Sequence, residues 1–418
     1  MTQYVAAMGM KPDKTSTLIG LGVLVVLLAS ETTWISYMNT SRPNRPVCAL
    51  DSVEVDLMEK EGQINGLVRF RVSYFGSLKS KIRVVALPLT RAERELDHVV
   101  HVFFDVRYPC LGLGLREWIG MRDHLPIELQ KVGFTVRVVD ADDLPKVMMR
   151  REAIVIIPSG VLPDTVYSAE GGLVSAWLAQ GGVLIWIGQA LGASIGHRDG
   201  IAEELGSLGQ TKLLGYELGI QKLSYWDSIA SDWTDFAHAL GLSYLHAWTG
   251  PALNVLEEKG GLALGGIHRA ASGREYSSVS LLPTAHGTGK VIIFGGGVGY
   301  AGAALGEDLV ARDIAKILWS GILRTSITGL RSRSGQFLPY VSYGSYEMDP
   351  GTSQTHTITI RNLDVKTNNG QEYNQIAIMA FSMSPDTEFY VNSNRPISNP
   401  VTKQRALVTS SFRRQQSS

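Results

Sequence analysis

Three side chains scattered along the sequence could together make a hydrolytic triad. Asp105 and Ser159 each follow a short apolar run, and His286 precedes a third one. A serine nucleophile needs a histidine to take its proton and a carboxylate to orient that histidine. If the three runs are neighbouring strands, the side chains could meet at one sheet edge. Any long chain with alternating strands and helices also has Ser, His and Asp residues near its sheet ends that play no catalytic role.

The two cysteines, Cys48 and Cys110, offer a second kind of chemistry. Cys110 stands in the stretch YPCLGLG, and a thiol near a helix start can have a lowered pKa and act as a nucleophile. The spacing excludes a CxxC metal or redox motif. In an extracytoplasmic domain the pair could instead form a disulfide. A packed thiol, a disulfide and a nucleophile therefore all remain open for Cys110.

Metal and dinucleotide sites are not predicted. The polar stretch HRDGIAEE at 197–204 lacks the paired His or Cys spacing of a metal site, and we interpret it as a solvated loop. The string GVGYAG at 297–302 matches the dinucleotide fingerprint and follows an apolar run. No second strand with an acidic residue about 20 positions further on completes that unit. We expect no cofactor.

The bulk composition excludes one large class of partner. The chain has 418 residues, of which 39 are Lys or Arg and 39 are Asp or Glu, so the formal net charge is 0. Without a basic field, binding to nucleic acid has no electrostatic support. The length predicts more than one domain.

An alternation of strands and helices must position the candidate residues. Four apolar runs, VVHVFFDV, FTVRVVDA, AIVIIPSG and VLIWIG, are separated by helical patterns. Strands that are apolar on both faces and joined by helices predict a parallel sheet covered on both sides. We therefore predict an α/β domain over 98–325, a doubly wound flavodoxin-like layer with an insertion or lid at 189–260. We interpret LALGGIHRA at 262–270 and YSSVSLLPT at 276–284 as further strands, with an antiparallel extension of the sheet as one option. Ligands of such sheets bind at the carboxyl ends of the strands.

The part of this domain from Ile154 to Gly192 resembles the class I glutamine amidotransferase-like fold. The resemblance rests on IVIIPSG, a helix ending in WLAQGG, and VLIWIGQALG. It implies that Pro158, Ser159 and Gly160 form the turn that belongs to the oxyanion site in that family. It also implies that Gly188 or Gln189 stands where the family has its nucleophile.

This chain departs from the family at its catalytic positions. Neither glycine nor glutamine can form a covalent acyl intermediate. None of the nine histidines is followed two positions later by Glu, so the family's His-x-Glu pair is missing. The resemblance therefore implies a degenerate, non-catalytic domain whose sheet-edge turns could bind rather than react.

All-β sequence flanks the α/β domain on both sides. Residues 52–97 alternate apolar and polar positions, and 326–404 form a second region with strands and turn signals between them. We predict sandwich-like strands in both regions, and a single β domain interrupted by the α/β domain is one hypothesis. Residues 405–418 are predicted to be a disordered tail.

The amino-terminal region predicts a membrane anchor. After a tail at 1–16, residues 17–38 form an apolar segment of about the 20 residues that cross a bilayer, and a linker follows at 39–51. A cleaved signal peptide is the alternative. The sequence predicts a single-pass membrane protein with a cytoplasmic amino terminus and an extracytoplasmic bulk.

Two functions remain as hypotheses. The first is a membrane-anchored, non-catalytic binding or scaffold protein in a membrane or envelope complex, with the membrane and other membrane or envelope proteins as partners. The second is a hydrolase that uses Ser159 or Cys110 at the carboxyl edge of the sheet.

Overall fold

The computed structural model describes most of the chain from Cys48 onward. The described residues are 48–60, 62–90, 96–111, 114–188, 190–219, 221–222, 231–242, 249–295, 306–324, 341–364, 373–383 and 390–396. All of them belong to one compact unit, Cys48–Ser418. The predicted tails at 1–16 and 405–418, the segment 17–38 and most of the linker 39–51 lie outside the described residues.

One prediction about the location of the protein is corrected. No helix among the described residues is both long enough and apolar enough to cross a membrane. This finding contradicts the predicted transmembrane signal-anchor and the single-pass membrane location. The segment on which that prediction was based, 17–38, is itself outside the described residues.

The elements are as follows in chain order. Three long strands come first: β1 (Cys48–Lys60), β2 (Gln63–Tyr74) and β3 (Ser80–Thr90). The predicted α/β alternation follows: β4 (Val99–Phe103), α1 (Leu115–Lys131), β5 (Thr135–Val139), α2 (Leu144–Met148), β6 (Ile154–Ile157), β7 (Leu162–Pro163), α3 (Gly172–Ala179) and β8 (Val183–Ile187). The predicted insertion holds short elements: β9 (Ser194–Gly196), β10 (Ala202–Glu204), α4 (Ser207–Leu214), β11 (Gln221–Lys222), β12 (Asp232–Trp233), α5 (Asp235–Leu240), β13 (Thr249–Gly250) and α6 (Leu253–Lys259). The α/β part ends with β14 (Leu262–Ala263), β15 (Gly266–Arg269), β16 (Glu275–Ser277), β17 (Val279–Pro283), β18 (Lys290–Phe294), α7 (Glu307–Trp319) and a 3-10 turn (Ile322–Arg324). The last strands are β19 (Ser342–Met348), β20 (Ser353–Asp364), β21 (Tyr373–Ser382) and β22 (Tyr390–Pro396).

The chain is a mixed α/β protein built around a seven-stranded sheet. Its strand order is β14-β17-β18-β8-β6-β4-β5. The five strands from β5 to β18 are parallel, whereas β17 and β14 run antiparallel at one side. The sheet is therefore mixed: its parallel layer is extended by the antiparallel strands β17 and β14, which come from the two segments interpreted as an antiparallel extension.

Side chains of this sheet enter two hydrophobic cores, one on each face, because successive residues of a strand point to opposite sides. Val102 of β4 and Ile156 of β6 pack on one face with helices α1 and α7. Phe103 and Val155 pack on the other face with α2, α3, α4 and α6. The inner strands β4, β6, β8 and β18 are thus covered on both sides, whereas the edge strand β5 is exposed at Thr135, Arg137 and Val138.

Two antiparallel sheets combine strands from both ends of the described chain. One has the order β1-β2-β20 and the other the order β19-β3-β21-β22. The ring of Tyr346 in β19 stacks on the ring of His356 in β20, with centroids 3.6 Å apart, and so links the two sheets. This pairing is the arrangement expected if one β domain is interrupted by the α/β segment. β1 begins at Cys48, inside the predicted linker, because its first residues already pair with β2.

The β sheets and the α/β part share a core around α5 and α7. Lys316 of α7 donates a hydrogen bond to the Gly241 carbonyl just after α5 (2.7 Å) and lies over the Phe381 ring of β21. Arg83 of β3 donates to the carbonyls of His238 and Ala239 in the same helix. The last turn of α5 is therefore held by two cations from two different parts of the fold.

Candidate functional site

The carboxyl edge of the parallel strands is where this fold class binds ligands. β4 and β6 are adjacent although β5 lies between them in the sequence, and at such a reversal the loops diverge and leave a crevice. Asp105 follows β4 and Ser159 follows β6, so both lie at this edge, as the sequence predicts.

Asp105 is buried and fully committed to hydrogen bonds. Its carboxylate accepts from the Nε and Nη2 atoms of Arg107 at 2.8 and 2.6 Å, and from the backbone N–H groups of Arg107 and Ala141. The Arg107 side chain, followed by these backbone donors, holds the pKa of Asp105 below its usual value despite its burial. Asp105 is therefore ionised and holds the loop after β4 through its hydrogen bonds, and its lowered pKa makes it a weak general base.

Arg107 carries the contacts outward to the loop after β5. Its Nη2 atom also donates to Asp142 at 2.9 Å. Asp142 in turn accepts a hydrogen bond from Arg198, which lies in the turn between β9 and β10. The two arginines lower the pKa of Asp142, the contact with Arg107 being the larger cause.

A second line of contacts runs through Tyr108 to the same turn. The buried Tyr108 hydroxyl donates to Asp164 at 2.9 Å, and Arg198 hydrogen-bonds the same tyrosine. Burial is the main reason that the pKa of Tyr108 is raised. The other oxygen of Asp164 lies 3.0 Å from Nδ1 of His197, and Nε2 of His197 lies 3.3 Å from Glu203 of β10.

These side chains form one connected set, which we call the carboxyl-edge network: Asp105, Arg107, Tyr108, Asp142, Asp164, His197, Arg198 and Glu203. It contains four carboxylates, two guanidinium groups and one imidazole, so the charges almost balance. Such a network orients its members and can present them to a polar partner. Each acid is already matched to a donor, which leaves none of them poised for acid–base catalysis.

Ser159 lies at the edge but supports its own turn. It is fully buried, its Oγ donates to the Val161 carbonyl at 3.0 Å, and its carbonyl accepts from Leu111. No histidine is among these partners.

His286 lies at the other end of the sheet from Ser159. It is exposed and precedes Lys290, the first residue of β18, which is level with Ile154 at the start of β6. At about 3.3 Å per residue, Ser159 is about 16 Å further along the strands. The structure therefore brings Asp105 and Ser159 to one edge and places His286 at the opposite one, so the three do not form a triad.

The two cysteines are not joined by a disulfide, which corrects that option. Cys48 opens β1 in the three-stranded sheet, and burial raises the pKa of its thiol to about 12. Cys110 is partly buried and packs against the hydrophobic cores on both faces of the large sheet. Its position is that of a packing residue between two cores.

The turn that matches the family's nucleophile position is closed by main chain. Gly188 follows β8 with φ +123°, and a Cβ placed on it would lie 2.9 Å from the Cα of Gly160 and 3.1 Å from the Leu111 carbonyl oxygen. Pro158 and Gly160 are both buried beside it. Gln189 and the glycine string 297–302 lie outside the described residues.

Of the carboxyl-edge network, the sequence predicts Asp105 alone, and the segment 197–204 has the composition of a solvated loop. A usable signal was present, because DVRY follows β4 after one further residue and DADD follows β5 directly. Charged residues just after two adjacent parallel strands must lie at the same edge. Within the described part of the chain no group of three or more His, Cys, Asp or Glu side chains could hold a metal ion.

Comparison of the chain with protein-family models, with curated proteins and with solved structures gave no match.

Proposed function

We propose that this chain is a non-catalytic binding protein, an assembly module whose protein partner contacts the carboxyl edge of the seven-stranded sheet. The observation that carries the proposal is the state of that edge. Its polar groups are hydrogen-bonded to one another, and the turn at Gly188 has no room for a nucleophile. This edge can therefore contact another molecule through its surface side chains, without covalent chemistry at the turn.

That surface has the mixed character of a protein interface. The apolar side chains of Val106 and Ile201 are 68% and 61% exposed, and each lies close in the chain to an arginine of the carboxyl-edge network. Exposed apolar groups beside arginines and carboxylates are typical of surfaces that bind proteins. The carboxylates at this edge and the zero net charge both disfavour a nucleic acid.

The fold supports the same inference. We infer that the five parallel strands form a doubly wound, flavodoxin-like layer, because their chain order across the sheet is 2-1-3-4-5. We also infer that the two antiparallel sheets make a β-sandwich. At fold level, these features agree with a degenerate amidotransferase-like domain, which stays part of the proposal.

The first experiment tests for catalysis. The purified chain is treated with a fluorophosphonate probe and, separately, with an electrophilic thiol probe, and adducts are mapped by mass spectrometry. We expect no fluorophosphonate adduct at Ser159, because its hydroxyl is buried and held by the Val161 carbonyl. An adduct that disappears in Ser159→Ala, together with turnover of an ester substrate, would establish the hydrolase instead.

The second experiment tests the binding edge. Tagged chains are expressed in the source cells, and copurifying proteins are quantified for the wild type, for Val106→Asp and Ile201→Asp, and for His286→Asp as a control at the opposite edge. A partner that is retained by the control and lost from both edge variants supports the proposal. A partner lost only from the control variant would move the binding surface away from the carboxyl edge.

A further inference from the structure

His197 is held between two carboxylates that come from different segments of the chain. Nδ1 faces Asp164, in the loop after β7, at 3.0 Å, and Nε2 faces Glu203 of β10 at 3.3 Å. His197 and Glu203 both belong to the β9–β10 hairpin and Asp164 lies outside it, so the imidazole bridges β10 to the loop after β7.

Both contacts need a proton on the histidine. A neutral imidazole has one N–H donor and one acceptor nitrogen, whereas a carboxylate is an acceptor only. With a carboxylate at each nitrogen, only the doubly protonated imidazolium satisfies both. Loss of one proton leaves a lone pair facing a negatively charged oxygen, so that one of the two ties is broken.

The surrounding groups reinforce this dependence. Asp164 also accepts from Tyr108, which keeps that carboxylate in place whatever the state of the histidine. Arg198 is directed to Tyr108 and Asp142 and does not replace the imidazole. Asp199 accepts from the backbone N–H of Ile201 within the turn, and Pro109 contacts Gly196. No further titratable group contacts the imidazole within the described part.

Within the hairpin, β9 is fully buried with Ile195 in the hydrophobic core, whereas β10 is partly or fully exposed and has fewer ties. β9 pairs with β10 through three residue pairs and with β7 through two. Ladders of this length are marginal by themselves. The turn between the two strands also carries Arg198 and the exposed Ile201, which belong to the proposed binding edge.

We propose that His197 is a protonation-dependent clamp that fastens β10 to the loop after β7 while it is charged and loosens β10 when it is neutral. The clamp thereby regulates the carboxyl edge, and this role rests on the proposed binding function. Asp164 first, and Glu203 second among the carboxylates, raise the pKa of His197 above its ordinary value. The clamp is therefore closed below that raised pKa and opens as the pH rises through it.

The test titrates the whole chain without any partner. Histidine ring resonances are followed by NMR from pH 5 to 9 in the wild type, in Asp164→Asn and in Glu203→Gln. Glu204→Gln is the matched control, because it removes the same charge from the next residue of the same strand. We expect each of the first two variants to lower the midpoint of His197 by about 0.2–0.7 pH unit. The control should lower it by clearly less.

Hydrogen exchange over 202–204, corrected for the intrinsic effect of pH on exchange, gives the mechanical readout. Protection of these amides should fall several-fold as the wild type passes through the His197 midpoint. In His197→Gln, protection should be low at every pH. Protection that stays constant across the midpoint, or a control variant that shifts the midpoint as much as Glu203→Gln, overturns the clamp. Neither readout involves a partner, so the proposed function stands or falls separately.

Discussion

The tight turn after β8 gives the most quantitative prediction, and the change is Gly188→Ala. A Cβ there would meet the Gly160 Cα at 2.9 Å and the Leu111 carbonyl oxygen at 3.1 Å. Both are main-chain atoms at the buried edge of the sheet, so neither can move aside as a flexible side chain could. Gly200→Ala is the matched control, because Gly200 also has positive φ, +84°, but has nothing within 4 Å of the added Cβ.

The two variants share one cost and differ in the other. A side chain at positive φ costs about 1–2 kcal/mol, and this is offset by about 0.4–1 kcal/mol because alanine is less flexible in the unfolded chain. Gly200→Ala should therefore lower the free energy of unfolding by about 1 kcal/mol. Overpacking adds about 1–3 kcal/mol at the closed turn, so Gly188→Ala should lower it by about 2–4 kcal/mol.

Urea denaturation followed by circular dichroism measures both values. Gly188→Cys, which installs the nucleophile of the resembling family, should lose at least as much stability as Gly188→Ala. If the variants at 188 and 200 lose the same free energy, the turn has room for a side chain and the steric argument against a nucleophile there fails.

Three further changes test other parts of the structure. His101 is buried in β4 with neither ring nitrogen hydrogen-bonded, so His101→Leu should raise the free energy of unfolding at pH 7 by about 1–3 kcal/mol. Burial also lowers the pKa of His101. Because the unfolded chain then binds a proton more readily, wild-type stability should decline as the pH falls below about 6.5. In urea denaturation, His101→Leu should lose less free energy of unfolding over the same pH range. Asp105→Asn should lower the free energy of unfolding by about 2 kcal/mol at pH 7. Because the folded-state pKa of Asp105 is lowered, this difference from the wild type should shrink as the pH falls through that pKa. An unchanged difference at pH 2 would contradict the ionised state of Asp105. Lys316→Met should lower the free energy of unfolding by about 1–2 kcal/mol, because it removes the donor to the Gly241 carbonyl. Hydrogen exchange should then be faster at the end of α5. The control Lys259→Met, which changes an exposed ion pair, should not alter exchange there.

The inner parallel strands were predictable because they are buried on both faces. Ile154–Ile157 and Val183–Ile187 are buried at every position, and an apolar run bounded by turns predicts such strands from the sequence. The edge strands were harder. The predicted strands at 262–270 and 276–284 each divide between two sheets, β14 with β17 and β15 with β16. Leu264 and Gly265 both donate to the Val279 carbonyl at this division, a tertiary contact without a local signal.

In the candidate site, too, some positions have a local sequence signal and others depend on tertiary contacts. Asp105 could be placed at the carboxyl edge because it follows an apolar strand, but its partner Arg107 reaches Asp142 only since β4 and β5 are neighbours. The position of His286 at the opposite edge could have been predicted from the direction of the strands. A residue that precedes a parallel strand lies at the amino edge, whereas one that follows it lies at the carboxyl edge.

The pairing of strands from both ends of the described chain also determines when the protein can complete its fold during synthesis. β3 is the central strand between β19 and β21, and both of its neighbours are translated after the whole α/β segment. From Thr90 to Ser342 there are 252 residues, which take about 13–50 s at about 5–20 residues per second. For that interval β3, with Val84, Val85 and Leu87 on it, has no partner strand on the ribosome. The buried side chains of β3 therefore reach their native neighbours only after the last strands emerge.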